Sequence, residues 1–106
     1  MVTVELAVGL VTATILAAVL AGVVMLGVAQ AACARTSSEV ARQLARGDQE
    51  AAERASEEAP RGARVDTSDV RDGVEVTVRA PVGIFGMGDV EVEASSWARY
   101  EAGASP

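Results

Sequence analysis

Two patterns of apolar and polar positions divide this chain. Residues 6–29 form a run rich in Val, Leu and Ala without a single charged side chain. As a helix this run measures about 36 Å, enough to cross a hydrocarbon layer of about 30 Å, so a transmembrane helix is the first expectation. Polar residues take over at Arg35, yet the spacing stays helical, with Val40 and Leu44 four apart and Ala41 and Ala45 beside them. No proline occurs before Pro60. One rod from near residue 3 to Arg46, about 65 Å long, is therefore expected. Gly47-Asp48 reads as a helix end and a new N-cap, with a short second helix over residues 49–58 stopped by Pro60; a Gly47 tolerated inside one continuous helix is the alternative.

After Gly62 the period changes from helix to strand. Val74, Val76, Val78 and Ala80 alternate with Glu75, Thr77 and Arg79, and Val90, Val92 and Ala94 alternate with Glu91 and Glu93. A shorter run at residues 63–67 supplies a first strand, joined through the turn-forming Arg71-Asp72-Gly73. Two or three short strands rarely hold alone, so their Val face is expected to pack on Val40, Leu44 and the second helix. The predicted class is α+β. A helical stem occupies residues 1–47, apolar over 6–29 and amphipathic over 30–47. A short helix follows at 48–60, then a small antiparallel β-meander head at 61–101 and a tail, AGASP, at 102–106 that is mobile unless an assembly pins it.

Composition narrows the function classes. Aromatic residues make up only 3% of the chain, so its apolar content is not the mixed core of a globular enzyme. The net charge is −6 and all nine basic residues are Arg; from Arg35 onward nine Arg face fourteen acids, a balance of −5. That surface repels polyanions and argues against nucleic acid as a partner. There is no His, no nucleophile beside a base, no Gly-rich phosphate loop and no metal-ligand spacing, so neither catalysis nor a cofactor is expected. The lone Cys33 reads as a small apolar side chain, with an interchain disulfide or a lipid attachment as the alternatives.

Three readings compete with a plain transmembrane helix. A cleaved secretory signal suits Ala29-Gln30-Ala31 but needs a basic first segment and a shorter apolar core. A lipoprotein signal would use Cys33, yet Gln30 stands where a large apolar residue belongs. The third is a pilin-type stem, and here Glu5, the only charge before Arg35, matters most. An acid in the first turns of a helix complements the dipole by about 0.3–1 kcal/mol and lies close enough to the interface to reach water. If stems bundled away from lipid, however, an unpaired Glu5 would cost several kcal/mol. The nearest cation is the amine at the start of a neighbouring chain, and pairing with it on a subunit shifted along the axis sets the register of a stack. Small residues at Gly9, Ala13, Ala17 and Ala21, with a second row at Thr14, Ala18 and Gly22, allow close approach of helix backbones; plain Ala richness is the simpler explanation.

Met1-Val2-Thr3-Val4-Glu5-Leu6-Ala7 resembles the mature start of a type IV pilin, and TVELA is similar to the tight-adherence (Tad) pilus proteins of the TadE-like family. The likeness continues in Cys33-Ala34, the Ala/Arg-rich helix and Arg46-Gly47-Asp48, which resemble actinobacterial members, and more loosely in the strand-rich end. It implies a prepilin whose basic leader, ending in Gly, is cut immediately before Met1 by a membrane-embedded aspartic prepilin peptidase. An ATP-driven assembly platform then lifts the subunit from the cytoplasmic membrane into a cell-surface filament that serves adhesion. By the same likeness Glu5 is linked to subunit registration. Many members carry a proline where this chain has Val11-Thr12, so a kink there is not expected. All the Arg residues lie on the far side of the stem, which the positive-inside rule reads as cytoplasmic. The pilin orientation is the reverse and requires a Lys/Arg-rich leader; an initiator at Met1 favours a monomeric single-pass protein with a small extracytoplasmic binding head.

Other features have plainer explanations. Asp66, Asp69 and Asp72 before Gly73 lack the calcium-loop spacing and read as turn chemistry. Glu57-Glu58 point apart on a helix as a solvated face. Ile84-Phe85-Gly86-Met87-Gly88 is an apolar loop that either folds over the sheet or projects towards a neighbour, so Phe85, Met87 and Trp97 are candidate head contacts, with Tyr100 equally placed.

Overall fold

The computed structural model describes residues 2–84 and 88–103. Its elements run α1 (Val2–Ala45), α2 (Gln49–Glu57), β1 (Arg64–Val70), β2 (Gly73–Gly83) and β3 (Asp89–Arg99). This is the expected α+β arrangement of one long apolar helix, one short helix and a three-stranded antiparallel sheet.

With 44 residues α1 rises about 66 Å and accounts for most of the 76 Å length of the molecule. It is unbroken through Val11-Thr12. The hydroxyl of Thr14, which competes with the backbone in many helices, donates to the Leu10 carbonyl at 2.8 Å instead. The helix stops at Gly47, whose φ of 80° a side chain would resist. There Gly47 N–H donates to the Leu44 carbonyl and Asp48 N–H to the Gln43 carbonyl, both at 3.0 Å, the crossed pair of a Schellman motif. Asp48 also starts α2, its carboxylate accepting from Ala51 N–H at 3.0 Å. One dipeptide thus closes one helix and opens the next.

The strands follow the order β1-β2-β3. Val70 pairs with Gly73, so Arg71 and Asp72 alone form the first turn, with φ of 52° and 60°, a type I′ turn. Gly73 lies outside the left-handed positions and is small for another reason. A Cβ there would stand 2.5 Å from the Trp97 ring, which sits on this end of the sheet.

Alternation puts Val74, Val76, Val78 and Ala80 of β2 and Val92 of β3 on the face that covers α1, against Cys33, Val40, Ala41 and Ala45. Val76 and Val78 are wholly buried. Small side chains on both surfaces bring helix and sheet close. Ser37 donates to the Ala34 carbonyl at 3.0 Å, which leaves the Ser96 hydroxyl to donate to Ser37 across the interface, also at 3.0 Å.

Two expectations are corrected and one is completed. The first strand covers Arg64–Val70 rather than 63–67, because the two-residue turn lets pairing run to its end while Asp66, Thr67, Ser68 and Asp69 hide the alternation. The third strand, for which the alternation of Val90, Val92 and Ala94 set no end, runs to Arg99. The sheet packs chiefly on α1 rather than on α2; α2 is seated on α1 through Ala52 and Ala55, which join the same core cluster.

Deleting two buried methyl groups by Val76→Ala removes about 2 kcal/mol of stability, cavity included, whereas Val90→Ala, at a half-exposed position, changes it by less than about 0.5 kcal/mol. Denaturation in detergent, followed by the fluorescence of Trp97, the only tryptophan, measures both.

Candidate functional site

The largest chemically distinct surface is the free part of α1. Every large apolar side chain from Val2 to Met25, and Val28 beyond, is between 45% and 77% exposed. A helix of this length and composition fits a membrane span. Glu5 lies exposed in its first turn, at the positive end of the dipole. Gly9, Ala13, Ala17 and Ala21 follow one another four apart along it, all exposed. Space around Gly9 is open, since a Cβ built there meets nothing within 4 Å. The row therefore leaves a shallow track of small side chains along the exposed stem. Met1, Phe85 and Met87 lie outside the described residues.

The head begins where the apolar run ends. Leu26 and Ala29 are half-buried against the head core, and Gln30 Nε2 donates to the Glu93 carbonyl at 2.6 Å. Stem and head share one helix, so no hinge separates them. Cys33 sits under the sheet with no exposed surface, and burial pushes its thiol pKa up. A thiol so covered is held neutral and packs as a small apolar side chain.

The opposite end of the head holds the aromatic pair. Trp97 Nε1 donates to the Val70 carbonyl at 2.7 Å while the ring stays 48% exposed, so the indole covers the Gly73 end of the outer face instead of entering the core. Tyr100 donates its hydroxyl to Asp69, and its own N–H bonds the Asp72 carbonyl at 3.1 Å. Glu101 N–H then returns to the Ala45 carbonyl at 2.9 Å, tying the end of β3 to the end of α1. Register places Asp69 opposite Val74 and Asp66 opposite Thr77, hence on different faces, with Asp72 in the turn. The three aspartates do not converge.

Sequence reasoning missed the ties made by Gln30, Ser37, Ser96 and Tyr100. The signal for the last two was present, because the alternation of Val92 and Ala94 continues through Ser96, Ala98 and Tyr100.

Comparison with protein-family models, with curated proteins and with solved structures gave no match.

The hydrogen bond to the Asp69 carboxylate raises the phenol pKa of Tyr100 most, followed by partial burial of the ring and the carboxylate's charge. A phenol pKa higher in the folded than in the unfolded chain stabilises the fold fully below the unfolded value near 10 and loses that contribution as pH rises through the folded one. As the only tyrosine, Tyr100 gives a direct phenolate absorbance titration. Its midpoint is expected above that of free tyrosine and is expected to fall in Asp69→Asn; an unshifted midpoint in the parent chain contradicts the contact.

Proposed function

We propose that this chain is a structural subunit, a pilin or minor pilin, of a type IV or Tad-like pilus, held in the cytoplasmic membrane by α1 until it polymerises through that helix into a cell-surface adhesive filament. The observation that carries the reading is the unbroken α1, bare and apolar over its first half, with Glu5 as its only charge before Arg35. Such a stem is satisfied in lipid, and equally in a bundle of its own kind if the carboxylate finds a cation. The Gly9-Ala13-Ala17-Ala21 track supports the bundle, since packing of small residues replaces the hydrophobic drive that lipid cannot supply. The resemblance at Met1 to Ala7 supports processing just before Met1, by a prepilin peptidase, and handover to an assembly platform. A polymer of this kind works through its joints, and no reaction is assigned to it.

Intact mass and N-terminal sequencing of protein taken from the native cell surface test the processing step; a free amine on Met1 is expected, with a longer encoded precursor ending in Gly. Formyl-Met1, or a start near Ala32, overturns it in favour of a single-pass anchor or a secreted head. Glu5→Gln tests the joint. Loss of a buried pair costs about 3–5 kcal/mol per contact, so the variant is expected to insert in the membrane normally and to yield no filaments by electron microscopy. Filaments at parental abundance would reduce Glu5 to a dipole-complementing acid.

A further inference from the structure

The geometry points to a second membrane contact: a collar of apolar side chains on the membrane-proximal end of the head that rests in the headgroup and acyl boundary of the bilayer. This rests on the membrane-resident stage of the function proposed above.

A hydrocarbon layer of about 30 Å takes about twenty helical residues. Counted from Leu6, just after the charged Glu5, those residues end at Met25. The next residue, Leu26, is already packed against the head. The head therefore stands directly on the membrane surface, with no spacer between them.

What it presents there is apolar apart from Glu58. Antiparallel pairing sets Gly73 near the far end of α1 and brings Val82, with its partner Val90, to the near end. Both belong to the face of the hairpin that turns towards the stem. Val82 is half-buried, but Val90 is 44% exposed, unlike Val92 two residues on at 8%. Ile84, half-buried, adds a third apolar side chain, its N–H bonded to the Gly88 carbonyl at 3.1 Å. On the α2 side a hollow of about 420 Å³ is lined by Val24, Met25, Val28, Ala29, Ala32, Glu58 and Pro60. Val28 is 65% exposed within it.

Lipid is the occupant these features favour, because the collar is continuous with the bare stem. The apolar run also outlasts the hydrocarbon by four residues, about 6 Å, which falls within the 5–10 Å depth at which interfacial elements sit. Asp89 and Glu91 alternate with Val90 and so face the other way, towards headgroups and water. A collar seated on a second copy instead is the competing outcome.

The test places a tryptophan at Val90→Trp in a Trp97→Phe chain, reconstituted at high lipid-to-protein ratio in phosphatidylcholine vesicles brominated in their acyl chains. A parallel chain carries Leu16→Trp in the same background. The expected result is strong quenching at Leu16→Trp and clear, weaker quenching at Val90→Trp. Quenching at position 16 without any at 90 overturns the collar and leaves the membrane anchor standing; quenching at neither overturns both. A blue shift at 90 that appears only at high protein density, unaffected by bromine, assigns the surface to a second copy and overturns the lipid contact. Should Trp97→Phe disturb the fold, a nitroxide on Val90→Cys in a Cys33→Ala chain reads the same depth by its accessibility to oxygen and to a water-soluble relaxer.

Discussion

An apolar helix with no protein cover must leave water, and that requirement organises the rest of the molecule. From Val2 to Met25 the large side chains of α1 stand exposed. Their backbone groups are paired within the helix, so either lipid or a packed bundle can surround them without an unsatisfied donor or acceptor. Lipid and neighbouring Leu or Val side chains are alike in apolarity, so hydrophobic burial does not discriminate between these surroundings. What does discriminate is short-range: close backbone approach at Gly9, Ala13, Ala17 and Ala21, and the one carboxylate. Near a membrane surface Glu5 reaches water; in a bundle it needs a positive partner. The choice between the two environments therefore depends on a few side chains and not on the bulk of the stem.

The head answers a different problem, that of ending the helix in water. Small residues carry it. Cys33, Ser37, Ala41 and Ala45 let the sheet come close, and Ala52 and Ala55 do the same for α2. So thin a core needs its polar atoms paired, and the Ser37–Ser96 bond meets that need. The sheet's other face is solvated, with Arg79 and Glu93 paired at 3.2 Å and Thr77 bonded to Ser95 at 2.9 Å directly across the strands. Both edges are blunted: Asp66, Ser68 and Asp69 on β1 and Asp89, Glu91 and Glu93 on β3 disfavour pairing with a stray strand.

Much of this was legible because the periods are strong. Twenty-four apolar residues, then Val40 and Leu44 at helical spacing, then Val74, Val76 and Val78 at spacing two, define one long helix and one half-buried sheet. Gly47-Asp48 was readable because a left-handed cap and an N-cap each demand particular residue types. β1 was cut short since its polar run, Asp66 to Asp69, carries no alternation and takes its strand form from β2. The seat of α2 was misassigned because Ala52 and Ala55 mark a contact face without naming its partner. Gly73 illustrates a further limit: its smallness depends on Trp97, twenty-four residues away, whereas the turn itself is made by Arg71 and Asp72.

The shared helix has a mechanical consequence. The lower part of α1 stands bare, and the upper part is the floor of the head core, with Val40 and Ala41 in one cluster with Val76 and Val78. No flexible joint lies between these parts, since Leu26, Ala29 and Gln30 are already fixed to the head. Rotation or translation of the stem thus moves the sheet as one body. The bare surface lies below Leu26 and the buried core above it, so a change in what surrounds the stem needs no unfolding of the head. At the junction the head's own apolar residues adjoin the bare stem, so whatever surrounds the stem there also meets the head.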